Sequence, residues 1–125
     1  MSEGPLPTLY GIPNCDQVKK ARTWLDAHGI AYRFHDFKKE GLAPAVLNQW
    51  LAQVDWEGLL NRRGTTWRAL PDARKAAIAT APAAAQLMLE SLSVVKRPVL
   101  QVGSHVTVGF DAGLYQSLLA NLSPP

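Results

Sequence analysis

The strongest constraint on this chain is how closely its first two apolar segments follow each other. Thr8-Leu9-Tyr10-Gly11 is a short run of strand type, stopped by Gly11 and Pro13. Ile30 to Phe37 alternates in part, with Tyr32 and Phe34 on one face, and reads as a second strand. Between them Val18, Ala21, Trp24 and Leu25 recur at helical spacing, with Lys19, Lys20 and Arg22 on the opposite side. Asn14 is the expected N-cap of this helix and Gly29 its C-terminal stop. One crossover helix between two close strands predicts a βαβ unit with parallel strands.

The next stretch is helical. Residues 43–53 form an amphipathic helix with Val46, Leu47, Trp50 and Leu51 inward. Trp56, Leu59 and Leu60 mark a helical turn, and Asn61 to Trp67 reads as a polar loop. Residues 71–92 are helical in two pieces, alanine-rich, restarted at Thr80 because Pro82 is tolerated only in a first turn. Val99 to Val102 is then a strand, Gly103-Ser104 a turn, and Val106 to Val108 its hairpin partner. Asp111 caps a last helix that presents Leu114, Leu118 and Leu119 to the core. The expected fold class is α/β: a mixed four-stranded sheet with a helical insertion, residues 1–125 forming one domain with loose ends at 1–7 and 123–125.

Composition narrows the functional classes. Of the 125 residues 47% are hydrophobic and 18% charged, which excludes a disordered chain. Thirteen basic against ten acidic residues leave +3, enough for an anionic substrate and too little to argue for nucleic acid. No apolar run reaches the ~20 residues of a membrane span, and Met1-Ser2-Glu3-Gly4-Pro5 lacks the basic start of a signal peptide. A single cysteine excludes an internal disulfide, so a reducing, cytoplasmic setting is expected. His28, His35 and His105 show no metal-ligand spacing, and no metal site is expected. The tryptophans at 24, 50, 56 and 67 read as core or pocket wall.

Three places could carry chemistry. Cys15 opens a helix, where free N–H groups and the helix dipole favour a thiolate; the alternative is a buried structural cysteine. Lys96-Arg97-Pro98 stands directly before a strand, where a cis X-Pro bond and an arginine fork can form an anion site; the alternative is a solvated surface charge. Asn61-Arg62-Arg63-Gly64-Thr65-Thr66-Trp67-Arg68 carries three arginines, two hydroxyls and an aromatic, which suits a phosphate-like or carboxylate anion or simply a solvated basic loop.

Tyr10-Gly11-Ile12-Pro13-Asn14-Cys15-Asp16, the loop 61–68 and Lys96-Arg97-Pro98-Val99-Leu100 together resemble the ArsC-like family, and within it the small YffB/Spx-type branch. The resemblance runs from Leu9 to about Leu119 and implies a thioredoxin-like fold. It implies Cys15 as nucleophile, and Arg97 with a cis Pro98 at the site. Asn14, Arg62, Arg63 and Arg68 complete the anion-binding set, Arg63 being favoured over Arg62. No cofactor is expected; glutathione, or a glutaredoxin-type thiol, is the implied partner, because Val18 stands where Spx proteins have their second cysteine. A disulfide or small oxyanion is the implied substrate. Gly109-Phe110 occupies the place where arsenate reductases carry a further Arg-Pro, which argues against arsenate. The expected function is a glutathione-dependent thiol reductase acting as a monomer, away from nucleic acid and membrane. The rival is a Spx-like regulator that binds RNA polymerase.

Overall fold

The computed structural model describes residues 6–120. The described residues form two compact units, one from residues 6–40 with 97–120 and the other from residues 41–96.

The first unit carries the sheet. Strand β1 (Thr8–Gly11) leads through a short loop into helix α1 (Asp16–Ala27), then β2 (Arg33–Asp36) and a single turn α2 (Phe37–Glu40). The chain re-enters this unit at β3 (Val99–Val102), followed by β4 (His105–Val108) and α8 (Ala112–Leu119). The sheet order is β2-β1-β3-β4. β1 runs parallel to β2, with Leu9 opposite Phe34 and Tyr10 opposite His35. β3 is antiparallel to β1, with Leu9 opposite Leu100, and antiparallel to β4. This is the mixed four-stranded sheet expected from the element order, in the thioredoxin-like α/β arrangement that the resemblance implies.

Register decides what each sheet face buries. Leu9 and Leu100 project to one side and pack with Val18, Ala21 and Leu25 of α1 and Tyr115 and Leu119 of α8. Phe34 of the edge strand and Tyr32 just before it join this core. On the other face Tyr10 stacks at a tilt on His35, with ring centroids 4.7 Å apart. Burial pushes the Tyr10 hydroxyl above its ordinary pKa.

Helix ends follow backbone accounting. At the C-terminus of α1 the Ile30 N–H donates to Leu25 C=O and the Gly29 N–H to Asp26 C=O, a Schellman closure. It requires the left-handed backbone of Gly29, whose φ is +65°. Asp111 Oδ1 accepts from the Leu114 N–H at 3.0 Å and caps α8 as expected.

In the second unit, α3 (Pro44–Leu51), α4 (Trp56–Leu59), α5 (Thr65–Arg68), α6 (Asp72–Ala77) and α7 (Ala81–Glu90) precede a 3₁₀ turn, Leu92–Val94. Leu47, Trp50, Leu59, Ala84, Leu87 and Met88 are buried. α7 packs on α3, α4 and the 3₁₀ turn. The break between α6 and α7 falls where the proline puts it: Thr80 Oγ1 accepts from the Ala83 N–H, and Pro82 lies in the first turn.

Several expectations are corrected. The second strand occupies only Arg33–Asp36, because Phe37 already begins α2. The expected loop 61–67 contains the start of α5. The hairpin strand begins one residue early, at His105. Asn14 is exposed and is not the N-cap; Cys15 holds that position. Leu114 is 52% exposed, and Tyr115 takes its place in the core. At about 100° per residue, Leu114 lies roughly 120° around the helix from the midline of Tyr115 and Leu119. Of the loose end expected at 1–7, Leu6 and Pro7 are described: Pro7 is buried and its carbonyl accepts from the Arg33 N–H at 2.8 Å. The remaining loose-end residues, 1–5 and 123–125, lie outside the described residues.

Candidate functional site

The site is built at the junction of β1 and α1. β1 ends at Gly11, and Ile12-Pro13-Asn14 carries the chain to Cys15. Cys15 has extended backbone angles (φ −107°, ψ 128°), and its carbonyl accepts the first intrahelical bond from the Lys19 N–H at 2.9 Å. Its thiol therefore stands at the opening of α1, half-buried against the first unit's core. No conventional side-chain cap bond closes there, which leaves the first-turn amides directed at the sulfur.

Opposing influences set the charge of this sulfur. Burial is the largest single one and pushes the pKa up. Against it act the Val18 N–H, the Arg97 side chain as hydrogen-bond donor, the Gln17 N–H and the positive charge of Arg97. Together these outweigh burial, and Cys15 is held below the ordinary thiol pKa. A thiol favoured as thiolate at a half-exposed helix start has the charge and the access that thiol chemistry requires.

Arg97 is half-buried and immediately precedes β3. The Arg97–Pro98 peptide bond is cis, as the resemblance implies. Pro98 is buried, and its carbonyl accepts from the Gly109 N–H at 2.8 Å. Gly109 has φ +80°, in the left-handed region that disfavours a side chain. Phe110 next to it meets Tyr115 edge-on, with centroids 5.1 Å apart. The backbone at the Gly109-Phe110 departure is thus tied to Pro98 in a conformation that suits glycine.

The first unit accordingly brings Cys15 and Arg97 together, with the cis Pro98 next to Arg97 in the chain. Arg62, Arg63 and Arg68 belong to the second unit. There the Arg62 guanidinium pairs with Glu57 at 3.4 Å and lies over the rings of Trp56 and Trp67, 5.7 and 5.8 Å from their centroids. Arg63 is exposed; its backbone N–H donates to Asn61 Oδ1, and its guanidinium has no side-chain partner among the described residues. Arg68 is exposed in the last turn of α5. The loop is fastened within its unit by the Asn61 N–H to Val94 C=O bond at 2.7 Å and by Thr66 Oγ1 to Ser93 Oγ at 2.6 Å.

The amides of Gln17 and Val18 were not singled out from sequence. Any residue type supplies an N–H, so the signal lies in their place two and three residues after Cys15 rather than in their identity.

Comparison with known proteins agrees with this geometry. The sequence profile of the ArsC family matches residues 10–118. An uncharacterized protein of Haemophilus influenzae is 37% identical over 113 residues, covering 90% of this chain and 98% of that protein. The global transcriptional regulator Spx 2 of Lactococcus lactis is 26% identical over 107 residues, covering 83% and 79%. A solved structure of a protein called YFFB superposes with a TM-score of 0.85 at 47% identity, covering 89% of this chain and 96% of that one. With the profile spanning both β1 and α8, and the cysteine and Arg-Pro segments inside it, the chain belongs to the ArsC family.

Proposed function

We propose that the protein is a glutathione-dependent thiol oxidoreductase that reduces disulfides of the form R–S–S–G, where G is the glutathionyl group. The observation that carries this reading is the half-exposed Cys15 thiol at the start of α1, favoured as thiolate by the Arg97 side chain and two first-turn amides.

Cys15 thiolate attacks the glutathionyl sulfur. The S–S bond breaks, R–S⁻ leaves and takes a proton from water, and Cys15–S–S–G forms. Cys15 is the chain's single cysteine, so a second glutathione thiolate, or a glutaredoxin-type thiol, attacks the same sulfur and releases Cys15 thiolate. The balance is R–S–S–G + GSH → R–SH + GSSG, which a reducing, cytoplasmic compartment sustains. Arg97 holds an anionic group beside the sulfur. Among the loop cations Arg63 is the one left for an anionic ligand, since Arg62 is committed to Glu57 and the two indoles. Small oxyanions are the second substrate class. Arsenate is a poor member of it, because no cation stands at Gly109-Phe110 and losing one transition-state donor typically costs ~100-fold or more.

The test is mass spectrometry after exposure to oxidised glutathione, run beside arsenate-dependent NADPH oxidation with glutathione, glutaredoxin and glutathione reductase. One glutathionyl group on Cys15 and slow arsenate turnover are expected. No adduct at any oxidised-to-reduced ratio refutes the thiol chemistry, and brisk arsenate turnover refutes the specificity. The Spx relatives favour a second reading, a regulator that docks on RNA polymerase. That reading predicts stable co-purification with polymerase and no turnover.

A further inference from the structure

Gly11 is the last residue of β1, buried, and paired with Asp36 of β2. Its φ is not positive, so its backbone is open to any residue. The reason for a glycine is space. A Cβ placed there would lie 2.6 Å from Val18 Cγ2 and 3.5 Å from Cγ1. Val18 is fully buried among Leu9, Ala21, Leu25 and Leu100. It is β-branched and sits in a helix, where one χ1 rotamer dominates, so it cannot swing aside cheaply. Only Ile12, Pro13 and Asn14 join Gly11 to Cys15, and the proline stiffens that loop.

We infer that Gly11 is a positioning residue for Cys15: the bare backbone at the end of β1 lets the first turn of α1 seat Val18 against the strand, and that seat fixes where the Gln17 and Val18 N–H groups stand relative to the sulfur. Val18 thus has two roles in one residue. Its side chain is the contact that Gly11 admits, and its N–H heads the donors that favour the thiolate. A methyl group at position 11 displaces the turn and lengthens those N–H···S contacts.

This inference rests on the thiolate reading above, and one experiment separates the two. The rate of Cys15 reaction with a neutral pyridyl disulfide is followed against pH for the parent, Gly11→Ala, Val18→Ala and the double variant. Weakening one charge-assisted hydrogen bond raises the midpoint by about one pH unit, and this is the shift expected for Gly11→Ala. In the Val18→Ala background the γ carbons that meet the new methyl are gone. Gly11→Ala should then leave the midpoint where Val18→Ala alone puts it.

If Gly11→Ala does not fold, the comparison of the double variant with Val18→Ala still decides. An unmoved midpoint in Gly11→Ala, or a raised one in the double variant relative to Val18→Ala, overturns the inference while a depressed parent midpoint keeps the thiolate reading. A parent midpoint at or above that of free cysteine, about 8.5, overturns both.

Discussion

Replacing Arg97 by Met keeps much of the half-buried stem and removes the fork of donors and the charge that act on Cys15. A hydrogen bond to a charged group contributes about 1.5–3 kcal/mol. Cys15 is only partly buried, so water screens part of this, and a value just below that range, about 1.4 kcal/mol or one pH unit, is the working figure. Below the midpoint the thiolate fraction falls about tenfold. A more basic thiolate is a better nucleophile, by about 2.5–3-fold per pH unit for a Brønsted slope of 0.4–0.5. The net expectation with a neutral pyridyl disulfide is a variant about 3–4-fold slower at low pH and about threefold faster above both midpoints. This crossing of the two curves is the signature. General damage to the site slows the reaction at every pH, whereas a pure pKa effect reverses sign. An unchanged midpoint, or curves that never cross, refutes the role given to Arg97. Stability supplies a second readout through linkage. The folded pKa of Cys15 is depressed, so its stabilising contribution is fully present above the unfolded value, about 8.5, and is lost as pH falls through the folded midpoint. The stability difference between the parent and Cys15→Ser should therefore grow with rising pH across that window, and grow less in the Arg97→Met background.

Two further outcomes follow from the side chains around the site and the loop. Arg63→Ala should weaken glutathione binding about tenfold by calorimetry, the loss of one charged hydrogen bond, whereas Arg62→Ala should leave it within about threefold because that guanidinium is held by Glu57, Trp56 and Trp67; the reverse order refutes the assignment. Tyr115→Phe should stabilise the protein: the hydroxyl is buried with no partner among the described residues, and an unmet buried donor costs about 1–3 kcal/mol, so a melting temperature raised by roughly 4 °C is expected and any fall refutes the idea.

What could be read from the sequence divides along physical lines. β1, α1 and the Gly29 stop were legible because an apolar run, a 3.6-residue stripe and a left-handed glycine are local signals. The α6–α7 break was legible because proline forbids a helix interior. The turns α2 and α5 were not: α4 is as short but shows Trp56, Leu59 and Leu60 at helical spacing, whereas Phe37 and Trp67 each stand alone in their turn. The N-cap was misplaced by one residue. Asparagine has the better cap propensity, yet the loop after Gly11 delivers Cys15 to that position. That single residue of difference is what sets the sulfur at the first-turn amides. The pairing of Cys15 with Arg97 is a consequence of topology: β3 lies beside β1, so the residue before β3 arrives next to the residue after β1. Spacing along the chain holds no trace of that, and only the three-motif resemblance pointed to it.

The same electrostatics governs both halves of the proposed reaction. Attack by Cys15 needs the thiolate, and the Val18 and Gln17 amides with Arg97 supply it against the cost of burial. Resolution needs Cys15 to leave the mixed disulfide, and a thiol of lower pKa leaves faster. Donors fixed at the sulfur thus raise the thiolate fraction in the first step and stabilise the departing charge in the second. Their cost is a weaker intrinsic nucleophile, which is tolerable because that penalty is fractional in the pKa shift whereas the gain in thiolate below the midpoint is complete. A chain with one cysteine depends on this more than a Cys-x-x-Cys protein does. It has no neighbouring thiol at high effective concentration to drive release, so the leaving-group term must do what proximity does elsewhere.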